Sequence, residues 1–83
     1  PFVGEVDLLY HEATYTHDLI ALAKQTGHST ARQAAEFAVL AQVKRLIIGH
    51  YSARYHDTEP LLAEAQQIFP ATVLAKELNV HII

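Results

Sequence analysis

The sequence has no cysteine, no methionine and no tryptophan. Without cysteine, neither a disulfide framework nor a thiolate zinc site can form, and the composition is compatible with the reducing cytoplasm, where the protein is expected to reside. The missing methionine, at Pro1 and everywhere after it, leads us to expect a piece of a longer chain. No apolar run approaches the roughly eighteen residues needed to span a bilayer. Pro1-Phe2-Val3-Gly4-Glu5 also lacks the basic-then-apolar pattern of a signal peptide. Basic residues are few: six Lys and Arg stand against nine Asp and Glu, for a formal charge of −3. That balance argues against a strongly basic nucleic-acid-binding surface, but not against a nuclease that contacts its substrate through metal ions or through other parts of the molecule.

What is present is globular in character. Of 83 residues, 51% are apolar and 18% charged, which allows one small domain with limited room for a closed core. Leu46-Ile47-Ile48 runs into Gly49-His50 and a polar loop, the pattern of a buried strand that ends at a sheet edge. Val6-Asp7-Leu8-Leu9-Tyr10 reads as a second buried strand, with His11-Glu12-Ala13-Thr14 just past its end. Thr16 can cap a helix that carries Leu19, Leu22 and Ala23 on one face and stops at Gly27. Thr30 and Gln33 have capping-box spacing, so another helix should begin at Ala31 and end near Gln42. Its buried stripe is Ala31, Ala34, Ala35, Ala38 and Ala41, with Phe37 and Val39 alongside.

Asp57 or Thr58 should cap a third helix, with Pro60 in its first turn and Leu61, Leu62, Ala65 and Ile68 facing inward. Phe69-Pro70 closes it, and short strands follow at residues 72–74 and 79–83. The order strand–helix–helix–strand–helix–strand–strand is an α/β pattern.

Open α/β sheets gather their chemistry beyond the carboxyl ends of their strands. Three ionisable clusters fall there or in connecting loops: His11-Glu12, His28-Ser29-Thr30, and His50 with Arg54. A His delivered from a rigid strand with an Arg four residues on suits a metal ligand beside an anion contact. Each cluster also has a plain structural explanation. Glu12 can be solvated, His28 can bond locally between two helices, and Arg54 can pair with Asp57 on the surface.

Those motifs, His11-Glu12-Ala13-Thr14, Gly27-His28-Ser29-Thr30-Ala31 and Gly49-His50-Tyr51-Ser52-Ala53-Arg54-Tyr55, stand in the order and rough spacing of the ribonuclease Z family. The run Leu61-Leu62-Ala63-Glu64-Ala65, with Phe69-Pro70 and Thr72, also resembles that family's C-terminal tail. The resemblance implies the C-terminal portion of a metallo-β-lactamase-type αββα sandwich, residues 1–83 forming one partial domain. It implies a zinc-dependent endonuclease that trims precursor tRNA at its 3′ side, working as a homodimer with two Zn²⁺ ions per active site.

By that resemblance His50 is the last metal ligand, His28 the proton donor to the leaving 3′ oxygen, and Glu12 the carboxylate that orients His28. Arg54 would contact a substrate phosphate. The family's His-x-His-x-Asp-His signature has no counterpart in this sequence, so the chain is expected to need the missing N-terminal half of the same protein to complete its metal site. Gly49 stands where the family more often has Thr. Two other readings remain: a different phosphodiesterase of the metallo-β-lactamase superfamily, and a non-catalytic domain that assembles through its apolar faces.

Overall fold

Residues 8–75 of the chain are described by a computed structural model. Three parallel strands form one sheet in the order β1-β2-β3, namely β1 (Leu8–Glu12), β2 (Arg45–Gly49) and β3 (Thr72–Leu74). Between β1 and β2 come a short 3-10 turn (His17–Leu19) and two helices, α1 (Ile20–Thr26) and α2 (Ala31–Ala41). Helix α3 (Glu59–Ile68) connects β2 to β3. The α/β class and the element order follow the sequence reading, and the strand expected at 79–83 lies outside the described residues.

The strand expected over residues 6–10 extends through Glu12. Its register with β2 runs from Leu8 opposite Arg45 to Glu12 opposite Gly49, so pairing with a distant segment carries it past Tyr10. Glu12 is therefore held on the sheet rather than in a loop beyond it. Residues 6 and 7 lie outside the described residues.

Alternation along the strands divides the sheet into two faces. Leu9, Leu46, Ile48 and Leu74 join the helical layer, where Leu46 and Ile48 are fully buried with Leu61 and the alanines of α2. All five stripe alanines are buried, and their small side chains let α2 lie close to the sheet and α3. On the other face Tyr10, Ile47 and Val73 stand in register. Tyr10 remains 57% exposed there and lies across Gly49, where its ring would meet any added Cβ.

Local signals set the helix ends. The Thr30–Gln33 capping box is fully formed, and Gln42 ends α2 in the left-handed conformation at φ 60°. Gly27 closes α1 at φ 76°, a conformation glycine adopts without steric cost. Thr16 starts only the 3-10 turn, and α1 begins at Ile20, because the Thr16 hydroxyl is engaged by Asp18 and the Tyr55 hydroxyl instead of a helix N–H. At α3 the N-cap position is Thr58, but Asp57 is the residue whose carboxylate accepts the Glu59 N–H. Phe37 and Val39, expected beside the buried stripe, are about half exposed. Phe37 packs on the ring of His11 rather than entering the core.

Candidate functional site

Three segments converge at the carboxyl ends of β1 and β2. The Ala13 N–H donates to the Gly49 carbonyl (2.8 Å), extending the β1–β2 ladder by one step, and the Ser52 N–H donates to Thr14 O (3.0 Å). From the other side, the N–H groups of Thr14 and Tyr15 both donate to Ser29 O, at 3.0 and 3.4 Å. The backbone of residues 13–15 thus ties the His28-Ser29 turn to the loop that begins at His50.

This framework brings three of the four sequence-selected residues together. The ligand-capable atoms of Glu12, His28 and His50 all lie within 4.8 Å of one another. Glu12 Oε1 is 3.5 Å from His28 Nδ1, and Glu12 Oε2 accepts the Ser29 N–H at 3.1 Å. The imidazoles of His28 and His50 lie 5.4 Å apart, centre to centre.

Arg54 does not enter this group. It has no ion pair with Asp57 among the described residues; its guanidinium lies over the Tyr15 ring at 5.7 Å. Tyr15 is buried and presents its ring edgewise to His28, with centres 6.3 Å apart, so Arg54 reaches the site through an aromatic intermediary.

Sequence reasoning did not single out Thr14, which is 5% exposed at the centre of the site. Its hydroxyl oxygen lies 2.6 Å from Glu12 Oε1, 3.0 Å from His50 O and 3.3 Å from His50 Nδ1. One hydroxyl carries one proton. Burial works against ionisation of Glu12, but the Thr14 hydroxyl, the Ser29 N–H and the His28 and His11 imidazoles outweigh it and hold the carboxyl below its ordinary value. The ionised carboxylate therefore takes the Thr14 proton in the shortest contact. The Thr14 oxygen can then accept a proton from His50 Nδ1, which leaves His50 Nε2 with its lone pair.

His50 itself has φ 60°, a left-handed conformation that costs a non-glycine residue on the order of 1–3 kcal/mol. Such strain persists where surrounding bonds over-determine it, and here the flanking Gly49 carbonyl and the Ser52 N–H both bond to the backbone of residues 13–14. Glu, His and His are ligand types that zinc accepts, so this donor set fits a metal of that kind.

Two further histidines take other parts. His11 Nδ1 lies 2.8 Å from the carbonyl of Glu12, and His17 Nδ1 lies 3.0 Å from the Thr30 hydroxyl. The Tyr55 hydroxyl accepts the Thr16 N–H at 2.9 Å, and the Tyr51 hydroxyl donates to Ile48 O at 2.8 Å, so both tyrosines pack and brace the loop.

No protein-family model matches the chain. It is, however, 64% identical over 77 residues to ribonuclease Z of Parabacteroides distasonis, covering 93% of this chain and 25% of that protein. Ribonuclease Z proteins of Azobacteroides pseudotrichonymphae and Porphyromonas gingivalis are 57% and 56% identical over the same length, with 27% and 25% of those proteins covered. The chain is a relative of ribonuclease Z. It spans about a quarter of the length of these curated relatives.

Among solved structures, human tRNase Z, short form (ELAC1), superposes with a TM-score of 0.65 at 39% identity, over 86% of this chain and 22% of that one. The ribonuclease Z resemblance read from the three motifs is therefore matched by relatives aligned over nearly the whole segment. The parallel α/β arrangement is consistent with the expected part of a metallo-β-lactamase-type fold.

Proposed function

We propose that the whole protein carrying this chain is a zinc-dependent endonuclease that removes the 3′ trailer of precursor tRNA, and that this chain is its C-terminal portion. The observation that carries the reading is the approach of Glu12, His28 and His50 within 4.8 Å, in a chain related to ribonuclease Z. In this reading His50 would be a ligand to one of two Zn²⁺ ions, the other ligands coming from the N-terminal part of the protein. Bound zinc would supply Lewis-acid polarisation of the scissile phosphodiester.

This chain's own residues supply the proton economy. When water attacks phosphorus, the P–O3′ bond breaks and the departing oxygen needs a proton. His28 is the proton donor, and Glu12, 3.5 Å from its Nδ1, fixes the ring's orientation. The two carboxylate oxygens of Glu12 are held by Thr14 and Ser29, so the orienting group is itself oriented. Arg54, seated on Tyr15, supplies a cation for a substrate phosphate.

The partners in this reading are precursor tRNA and a second copy of the protein, working in the cytoplasm. Among the described residues no helix is long and apolar enough to cross a membrane. Half-exposed Leu8 and Tyr10 on the sheet face away from the helices offer a surface for the N-terminal part of the fold.

Assaying the full-length protein on precursor tRNA and on a small chromogenic phosphodiester tests the assignment. Cleavage at the tRNA 3′ side, abolished by a chelator and restored by zinc, is expected. Turnover of the small ester alone would remove the tRNA assignment and leave a phosphodiesterase of another specificity.

A further inference from the structure

Helix α2 begins two residues after His28-Ser29, and all four of its leading N–H groups are satisfied by protein. Ala31 donates to Tyr15 O (2.8 Å), Arg32 to Glu64 Oε2 (2.9 Å), Gln33 to the Thr30 hydroxyl (3.1 Å) and Ala34 to Thr30 O (3.0 Å). The Thr30 N–H is returned to Gln33 Oε1 at 2.9 Å. Three of these five acceptors, from Thr30 and Gln33, are local to the turn. Tyr15 O and Glu64 come from elsewhere.

Glu64 is unusual in what its two oxygens do. Oε2 takes the Arg32 N–H, while Oε1 takes the N–H of His17 at 2.9 Å. A single carboxylate on α3 thus grips both ends of the excursion formed by the 3-10 turn and α1. One end follows β1, which carries Glu12, and Thr14 just past it; the other leads out of His28-Ser29. The His17 ring, 3.0 Å from the Thr30 hydroxyl, fastens the same two segments a second time.

We infer that Glu64 is a positioning residue for the Glu12–His28 pair. Ser29 N–H reaches Glu12 Oε2 (3.1 Å) only while the start of α2 is held beside the end of β1. An ionised carboxylate is the group suited to this position. It presents two acceptors to two N–H donors and carries negative charge toward a helix N-terminus. Being on α3, whose Leu61, Leu62 and Ala65 are buried in the core, it refers both loops to a rigid element. A proton donor placed 1 Å from its productive position loses rate steeply, so this anchoring acts on turnover more than on substrate binding.

The catalytic part of this inference rests on the proposed nuclease reading; the geometric part does not. The test uses the full-length protein with Glu64→Ala, Glu64→Gln and, as a control on the same helix, Ala65→Gly. In Glu64→Ala the Ser29 and Arg32 amides should exchange with deuterium at least tenfold faster while the Ile47 amide in β2 does not. Its kcat should fall at least tenfold, with KM within twofold of the parent.

Glu64→Gln retains one acceptor oxygen and should lie between the parent and Glu64→Ala in both measurements. Ala65→Gly should lower the melting temperature without the selective loss of kcat. Unchanged Ser29 exchange in Glu64→Ala overturns the inference. So does an equal loss of kcat in Ala65→Gly at matched stability. Should the parent cleave neither tRNA nor the small ester, the nuclease reading fails, and Ser29 exchange alone decides whether Glu64 positions the loop.

Discussion

His28 Nδ1 and Glu12 Oε1 stand 3.5 Å apart across two segments that the backbone of Thr14 and Tyr15 binds together. In the proposed reaction the pair would divide the labour of acid catalysis, one residue holding the proton and the other holding the first in place. His28→Ala should lower turnover of precursor tRNA by roughly 10²–10⁴, the usual worth of a general acid. Glu12→Gln should lower it less, since the donor remains. Zinc content measured on the purified variants should stay at the parent level in His28→Ala. Loss of metal in that variant would make His28 a ligand rather than the proton donor.

Thr14 links the acid pair to the residue proposed as metal ligand, with its hydroxyl 2.6 Å from Glu12 Oε1 and 3.3 Å from His50 Nδ1. Thr14→Val keeps the shape and removes the hydroxyl. Groups that orient a ligating imidazole commonly contribute 10–100-fold to metal affinity, and that is the expected loss in competition with a chromophoric chelator. An unchanged affinity would show that the tautomer of His50 is set by something else.

Glu12 also couples the site to stability in acid. Its folded-state carboxyl lies below the ordinary value because, against the penalty of burial, it is bonded by Thr14 and Ser29 and faces two imidazoles. A carboxylate depressed in the folded state stabilises the fold at pH above the ordinary carboxylate value. That contribution is lost as the pH falls through the ordinary value and then through the lower, folded-state one. Melting curves of the parent and Glu12→Gln should therefore differ most near neutrality and converge in acid. A gap that widened on acidification would reverse the assigned direction.

How legible each feature was in the sequence follows from how far apart its parts lie in the chain. The start of α2 could be read residue by residue, because Thr30 and Gln33 cap each other over three positions and the alanine stripe repeats at helical spacing. The end of β1 could not, because Glu12 is drawn into the sheet by Gly49, a partner in another segment. Glu12, His28 and His50 were legible as residue types in strand-end loops and as family motifs, but neither source contains their approach. Thr14 acts on His50 across 36 residues and Glu64 on His17 across 47, with no local pattern to announce either. Asp57, close in sequence, was the plain structural alternative to a phosphate contact for Arg54, yet the ring of Tyr15 offers its guanidinium a flat surface instead.

The alanine stripe makes a prediction about packing that is independent of the chemistry. Ala38 has no exposed surface where α2 meets the core, whereas Leu40, two positions on, is 81% exposed. Helical geometry puts these neighbours on different faces. Ala38→Leu must push α2 outward or force side chains off their preferred rotamers, at a cost of roughly 1–3 kcal/mol. Leu40→Gln removes apolar surface that the described residues leave open, so its effect should stay within about 0.5 kcal/mol. Thermal or denaturant unfolding of the full-length protein measures both. A loss at Leu40 as large as that at Ala38 would mean that another part of the protein covers this face of α2, and would make the helix an internal surface of the assembled fold.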